Sequence, residues 1–275
     1  MDEIAADYGL ARTAEGLSHA ALLRAFINLH QLMKRTLAGD RVECPFCKSA
    51  FERFLPFSED TEVVRKFEII GAGFRPNARC PECLSLDRER LVYLYLERAG
   101  LLSVSGCRIL HIAPERCLGK RLRLDSRLRY VAGDLDRNSG RVTLELDLQY
   151  LPFQNDSFNL VVCNHVLEHI PDDRRALAEI TRVLDRSGAA ILQTPVSAAL
   201  ESTYEDWSMT TGDQRKAAFG QSDHVRIYGA DYAARLEQSG LRVQVFDALE
   251  EFGADLIERH ALIARERIFI GRKRA

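Results

Sequence analysis

From Gly100 to the C-terminus, short β-prone runs alternate with helical ones, and this alternation limits the possible folds more than any other feature. The strand candidates are Arg108–Ile112, Tyr130–Gly133, Val142–Leu146, Leu160–Cys163, Ala189–Gln193, Arg242–Phe246 and Arg267–Gly271. Helical patterning marks Cys117–Leu124, Arg174–Leu184 and Ala230–Ser239. Parallel strands need crossover connections, so such a chain predicts an α/β domain with a mostly parallel sheet covered on both faces. Residues 198–226 are irregular, polar and aromatic, a long connection of the kind that forms lids.

The chain before Gly100 has a different character. Leu22, Leu23, Phe26, Ile27, Leu29, Met33 and Leu37 recur near helical period between Ala14 and Leu37, and Ala38-Gly39-Asp40 breaks the pattern. A second helix is expected from Leu86 to Ala99, with Gly100 as its stop. Between them stand Cys44-Pro-Phe-Cys47 and Cys80-Pro-Glu-Cys83. Each CxxC projects two thiolates from a tight knuckle, and two knuckles supply the four soft ligands of a tetrahedral structural zinc site. The segment from Lys48 to Arg79 exceeds the usual spacing, so it must form its own hairpin or short helix. Four unrelated buried cysteines, or a redox CxxC, are the rival readings; two complete pairs, neither capping a strand–helix unit, speak against both. Cys107, Cys117 and Cys163 read as small core residues. The expected division is 1–40 helical segment, 41–100 zinc-ribbon-like module with its following helix, and 101–275 catalytic domain with a lid at about 198–226.

With 275 residues, 46% of them apolar, the chain can bury a full core, and its net charge of −2 points to no polyanionic partner. No apolar run approaches the ~18 residues of a membrane span. The start, MDEIAADYGL, is acidic and lacks a secretory pattern, so a cytoplasmic protein with reduced cysteines is expected.

Residues Asp147 to His169, DLQYLPFQNDSFNLVVCNHVLEH, together with Arg182-Val-Leu-Asp-Arg-Ser-Gly188 and the Ala189–Gln193 strand ending in Thr194-Pro195, resemble the class I S-adenosylmethionine methyltransferases. The resemblance covers about Ser105 to Arg274. It implies a Rossmann-like seven-stranded sheet with the cofactor at the carboxyl ends of its strands. In that family an acid ending the second strand binds the ribose hydroxyls, here Asp134 followed by Leu135. The acid before the LPF loop meets the adenine amino group, here Asp147, with the Leu148 N–H on a ring nitrogen. The family's glycine-rich loop is replaced by His111-Ile-Ala-Pro-Glu-Arg-Cys117, with no glycine before Gly119. The resemblance places His111, Ala113, Glu115 and Asn164 at the methionine end, Glu115 as an acceptor for the cofactor's amino group. Glu115 also reads as a helix N-terminal acid favoured by the dipole. The same loop resembles a variant found in a bacterial subgroup that carries the paired cysteines.

For catalysis, His165 and His169 are expected four apart on one face of a helix after the fourth strand, where a neutral imidazole can take a proton. His-Val-Leu-Glu-His also spells HxxEH, the inverted zinc-protease signature. Its place after a buried strand, closed by Pro171, argues for coincidence over a metallohydrolase. In Gln221-Ser-Asp-His-Val-Arg-Ile-Tyr228, Asp223 and His224 read as an acid–base pair. Arg226 reads as an acceptor-binding cation or as a tie between lid and core. Tyr204, Glu205, Asp206 and Trp207 sit on the expected lid. The basic run Arg116, Lys120, Arg121, Arg123, Arg127 and Arg129 reads as a solvated face, without the interleaved aromatics of an RNA site.

The expected function is methyl transfer from S-adenosylmethionine to an oxygen or nitrogen of a small polar acceptor such as a sugar or metabolite, with structural Zn2+ on Cys44, Cys47, Cys80 and Cys83. A zinc-assisted RNA methyltransferase or RNA-binding protein is the alternative. No membrane partner is expected, and the sequence does not fix the oligomeric state.

Overall fold

The computed structural model describes residues 19–136 and 141–274. A seven-stranded sheet organises them: β1 Arg108–Ile112, β2 Arg129–Asp134, β3 Leu144–Glu145, β4 Phe158–Cys163, β5 Leu184–Ile191, β6 Leu241–Asp247 and β7 Arg267–Lys273. The spatial order is β6-β7-β5-β4-β1-β2-β3. β1 to β5 run parallel, while β7 is antiparallel to both β5 and β6. Strand order reverses between β1 and β4, and ligands of open α/β sheets bind in the crevice beyond the carboxyl ends of the strands at such a switch point. The central strands are apolar almost throughout, with Ile109, Leu110, Leu160, Val161 and Val162 wholly buried, as a sheet covered on both faces requires. The third strand is shorter than expected, two residues at the sheet edge.

The helices include α1 His19–Thr36, α2 Asp87–Arg98, α3 Arg116–Arg123, α4 Asp173–Val183, α5 Gly212–Phe219 and α6 Tyr232–Glu237; Glu62–Lys66, Ala248–Phe252 and Ala254–Arg259 are short helices besides. Residues 14–18 of the first expected helix lie outside the described residues. α4 packs Ala176, Leu177, Ile180 and Val183 on one face of the sheet, an i, i+1, i+4, i+7 stripe. α2 packs Leu91, Val92, Tyr95 and Leu96 on the other, in the same cluster as Ile109, Leu160 and Ile268. The boundary expected at residue 100 is therefore not a seam in the packing, because α2 belongs to the sheet's core. No helix among the described residues is long and apolar enough to cross a membrane.

The long stretch between the cysteine pairs is ordered. Leu55–Phe57 pairs antiparallel with Arg75–Arg79, and Thr61 caps the short helix Glu62–Lys66. Ile69–Ile70 then pairs with Val196–Ser197, just beyond the end of β5. The stretch after 198, expected to be irregular, has structure of its own. Tyr204–Glu205 pairs with Arg226–Ile227, and α5 opens on a Thr211/Gln214 capping box and closes at Gly220 in the left-handed conformation, φ 91°.

Candidate functional site

The two CxxC segments fold into matching knuckles. The Lys48 N–H donates to Cys44 O at 2.9 Å and the Leu84 N–H to Cys80 O at 3.0 Å; both residues have positive φ, 60° and 64°. The Cys44 N–H donates to Ser49 O, and the Cys80 N–H to Ser85 O, closing each loop again. This folding turns both thiol pairs inward, with Cys44 Sγ 3.5 Å from Cys83 Sγ and Cys47 Sγ 3.7 Å from Cys80 Sγ. All four sulfurs lie within 4.8 Å of one another. Tetrahedral zinc with bonds of about 2.3 Å sets its sulfurs about 3.8 Å apart, so donors and spacing fit that ion. Cys107, Cys117 and Cys163 are buried and unpaired, as expected.

Arg90 locks the knuckles to the sheet domain. It is wholly buried and donates to the carbonyls of Ala78, Ser85, His260 and Ala261 at 2.7–2.9 Å. Glu89 accepts from the backbone N–H groups of Cys117 and Leu118, and so fastens α2 to the start of α3.

At the switch point, Ala113 follows β1 with φ 46°, and His165 follows Asn164 after β4 with φ 52°. An L-residue is strained there, and here glycine's usual place is taken by alanine. Gly119 makes the close approach instead: a Cβ on it would stand 3.1 Å from Pro114 Cβ and from the Tyr130 hydroxyl. Between the two strand ends lies Glu115, at the N-cap of α3, making no cap bond with its side chain. Its carboxylate meets His111 Nε2 at 2.7 Å and accepts from Asn164 Nδ2 at 3.0 Å. Burial acts to raise the Glu115 pKa, but the His111 hydrogen bond and charge outweigh it and hold the group below the ordinary glutamate value. The other nitrogen of His111 meets the Tyr130 hydroxyl at 3.1 Å. Both of its ring nitrogens are thus used within the protein, and His111 orients Glu115 instead of facing a ligand. Asn164 Oδ1 is buried without a hydrogen-bond partner among the described residues.

Asp134 ends β2 beside Glu145 of β3, and Leu135 after it is 63% exposed. Asp147 accepts from the Gln149 N–H at 2.8 Å. The Leu148 N–H donates to no group among the described residues. Asp134 is the last residue of β2, and Asp147 follows β3 by two residues, with the unpartnered Leu148 N–H beside it.

The expected catalytic groups need correction. His165 and His169 do not share a helix face: His165 has positive φ, and only Leu167–His169 is helical, as one 3-10 turn. His165 is buried, and burial, with the charge of Arg88, drives its pKa well below the ordinary histidine value. Asp223 does not orient His224. Its carboxylate lies 3.2 Å from His169 Nδ1, and the His169 and His224 rings meet edge-on with centroids 4.6 Å apart. His224 is 6% exposed, and burial next to His169 lowers its pKa to about 4, so its imidazole is neutral at pH 7. Arg226 is no acceptor ligand. Its side chain is fully buried and donates to Glu205 and to the carbonyls of Leu167, Ile170 and Pro171. It ties Glu205 to the 3-10 turn and the residues just after it. Trp207 is 58% exposed, with the Arg226 guanidinium 5.9 Å from its ring centre. In the basic run, Arg121 and Arg127 pair with Asp125, and Arg121 also stacks on Tyr93, as on a solvated helix face.

Arg88 and Lys216 had no sequence signal as site residues, and Glu168 entered only as the acid of the HxxEH match. All three line a cavity of about 470 Å³ with Pro195 and His224, closed by residues 57–73 of the inter-cysteine stretch and by α5. Burial raises the Glu168 pKa, and Glu168 Oε2 accepts from the Thr194 hydroxyl at 2.9 Å. Arg88 Nε is buried with no hydrogen-bond partner among the described residues.

The methyltransferase-domain family model matches residues 112–192, from the end of β1 to just past β5. No curated protein matches the chain. Among solved structures, the chain is similar to an S-adenosylmethionine-dependent methyltransferase from Mesorhizobium loti, with 18% identity, TM-score 0.45, and 66% of this chain and 98% of that one covered. It is similar also to a 1,6-didemethyltoxoflavin-N1-methyltransferase from Burkholderia thailandensis, with 14% identity, TM-score 0.45, and 68% and 80% of the two chains covered. The matched segment spans the switch point and its flanking strand ends, so residues 112–192 are similar to a methyltransferase domain.

Proposed function

We propose that the protein transfers the methyl group of S-adenosylmethionine to a small polar acceptor held in the 470 Å³ cavity, and that Cys44, Cys47, Cys80 and Cys83 hold a structural zinc ion that supports the cavity wall. One observation carries the cofactor reading. At the switch point a buried carboxylate, Glu115, lies beside an unpaired buried acceptor, Asn164 Oδ1. A buried anion and an orphan acceptor each cost free energy unless a cationic donor satisfies them, and the ammonium group of the cofactor's methionine end is such a donor. His111 and Tyr130 fix the carboxylate from behind.

At the other end, Asp134 accepts from the ribose hydroxyls and Asp147 from the adenine amino group, with the Leu148 N–H on a ring nitrogen and the exposed Leu135 against the base. When bound, the cofactor supplies an electrophilic methyl group on a sulfonium. The protein's part is to align an acceptor atom with it about 3–3.5 Å away and keep water out. Arg88 and Lys216 are the cations that line the cavity beside the anchored Arg226, and they suit an acceptor with a carboxylate or phosphate. His224 lines the cavity with the His169 ring edge-on against it, and the acceptor's reacting group is expected there.

Calorimetric titration with S-adenosylhomocysteine tests this reading. The wild type should bind one equivalent. Asp134→Ala should lose about 1–3 kcal/mol of binding, the cost of two hydrogen bonds to a charged group. No binding by the intact protein, or unchanged affinity in a folded Asp134→Ala variant, would refute the assignment.

A further inference from the structure

We infer that Glu168, His169 and His224 form a divalent-cation site at the edge of the acceptor cavity, distinct from the cysteine site. One ligand atom from each lies within 4.8 Å of the others, and Glu168 and His224 are buried. They come from two chain segments, the 3-10 turn after β4 and the end of the lid, joined by the Val225 N–H donating to Glu168 O at 3.0 Å. Two imidazoles and one carboxylate on a shared site are the donor set of the facial triads that bind first-row divalent metals and leave positions open.

Three details fit a ligand role better than simple packing. Neither ring nitrogen of His224 has a hydrogen-bond partner among the described residues, although the side chain is buried and faces the cavity. Glu168 is steadied at Oε2 by Thr194, whereas its Oε1 lies 3.5 Å from His165 Nδ1, too far for a good hydrogen bond. Asp223 stands 3.2 Å from His169 Nδ1, as an outer carboxylate that orients a histidine ligand does.

The groups facing the site set its strength. Glu168 and Asp223 attract a cation, while Arg88, across the cavity, opposes one. These opposed charges make it a saturable site of modest affinity, not a permanently loaded centre. Two of its ligands, Glu168 and His224, line the cavity, so an acceptor with two adjacent oxygens, as in a vicinal diol, a catechol or a hydroxy acid, can bind the ion through both. That placing of the acceptor rests on the methyltransferase reading; the ion's binding does not.

The test uses Mn2+ and the zinc-loaded full chain. Mn2+ is hard and weakly bound, so it does not displace zinc from thiolates. Loss of the free Mn2+ electron paramagnetic resonance signal counts bound ions. One saturable Mn2+ per chain is expected. Glu168→Gln and His224→Asn should weaken it by roughly 100-fold or more, and Asp223→Asn, at an exposed position, by roughly tenfold. Zinc content and S-adenosylhomocysteine affinity should stay unchanged in Asp223→Asn, which serves as the readout if the buried variants fail to fold. No saturable Mn2+ in the wild type, or Mn2+ binding indifferent to Asp223→Asn and to whichever buried variants fold, overturns the site. Failure of the wild type to bind S-adenosylhomocysteine while it binds Mn2+ would refute the methyltransferase reading and leave the metal site standing.

Discussion

The two cysteine knuckles and the stretch they enclose are neighbours in sequence but are held in different ways. Each knuckle is local: four residues, a positive φ at the residue that follows, and the same backbone hydrogen bonds in both copies. The enclosed stretch, residues 48–79, has no such self-sufficiency. Its hairpin and short helix gain a floor only where Ile69–Ile70 pairs with Val196–Ser197 and where α5 closes the cavity. The lesson is one of division of labour. On the proposed function, a pair of local loops anchors a wall that the sheet domain completes, so the cysteine site supports the cavity from outside it.

The largest effect should come from breaking the knuckles. Cys80→Ser removes one of four thiolates, and metal-coupled folding energy on the order of 10 kcal/mol makes the loss fatal to such a unit. Zinc should be absent and limited proteolysis should cut between residues 44 and 85. A variant that loses zinc yet resists proteolysis would show that the wall does not depend on the metal.

Next comes the joint between the regions. Arg90→Met leaves four buried carbonyls without their donor, at a cost of about 3–5 kcal/mol in chemical denaturation. An effect below about 1 kcal/mol would mean that the module and sheet are not coupled there.

A smaller, pH-dependent effect belongs to Glu266, buried beside Gln193 and close to Gly71 of the wall. Burial, reinforced by the Asp87 charge, raises its pKa to about 8. The unfolded chain gives up this proton near pH 4.3 and the folded chain near 8. The contribution is therefore complete below the unfolded pKa and is lost as pH rises through 8. Between pH 7 and 8 the wild type should lose about 1 kcal/mol through this group, and Glu266→Gln should not. Equal slopes in both proteins would contradict the assignment.

How much of this was legible beforehand follows from the same contrast. The knuckles and the seven strands announce themselves through local pattern: paired CxxC, apolar runs, and turns. The cavity does not. Arg88 lies in Leu-Asp-Arg-Glu-Arg90, which reads as the solvated first turn of a helix, yet Asp87, Glu89 and Arg90 are buried. Glu168 was hidden between two more conspicuous histidines. His165 and His169 were expected on one helix face because spacing alone carries no sign of the positive φ at His165. Arg226 showed its charge but not its destination, since four acceptors from Leu167, Ile170, Pro171 and Glu205 reach it only in the fold.

The smallest effect concerns the loop without glycine. Ala113→Gly relieves left-handed strain of about 1–2 kcal/mol but gives back about 0.5–1 kcal/mol in backbone entropy. A net gain under about 1 kcal/mol, with unchanged cofactor affinity, is expected from thermal melts and calorimetry. A destabilised variant would show that Ala113 is not strained.

Hydrogen–deuterium exchange with and without S-adenosylhomocysteine tests the central claim most directly, because it reads both regions at once. Bound ligand should slow exchange at the carboxyl ends of β1, β2, β3 and β4, in residues 112–118, 133–136, 146–149 and 164–166. It should leave the knuckles at 44–49 and 80–85 unchanged. Protection confined to the cysteine module, or none at the strand ends despite binding, would contradict the account.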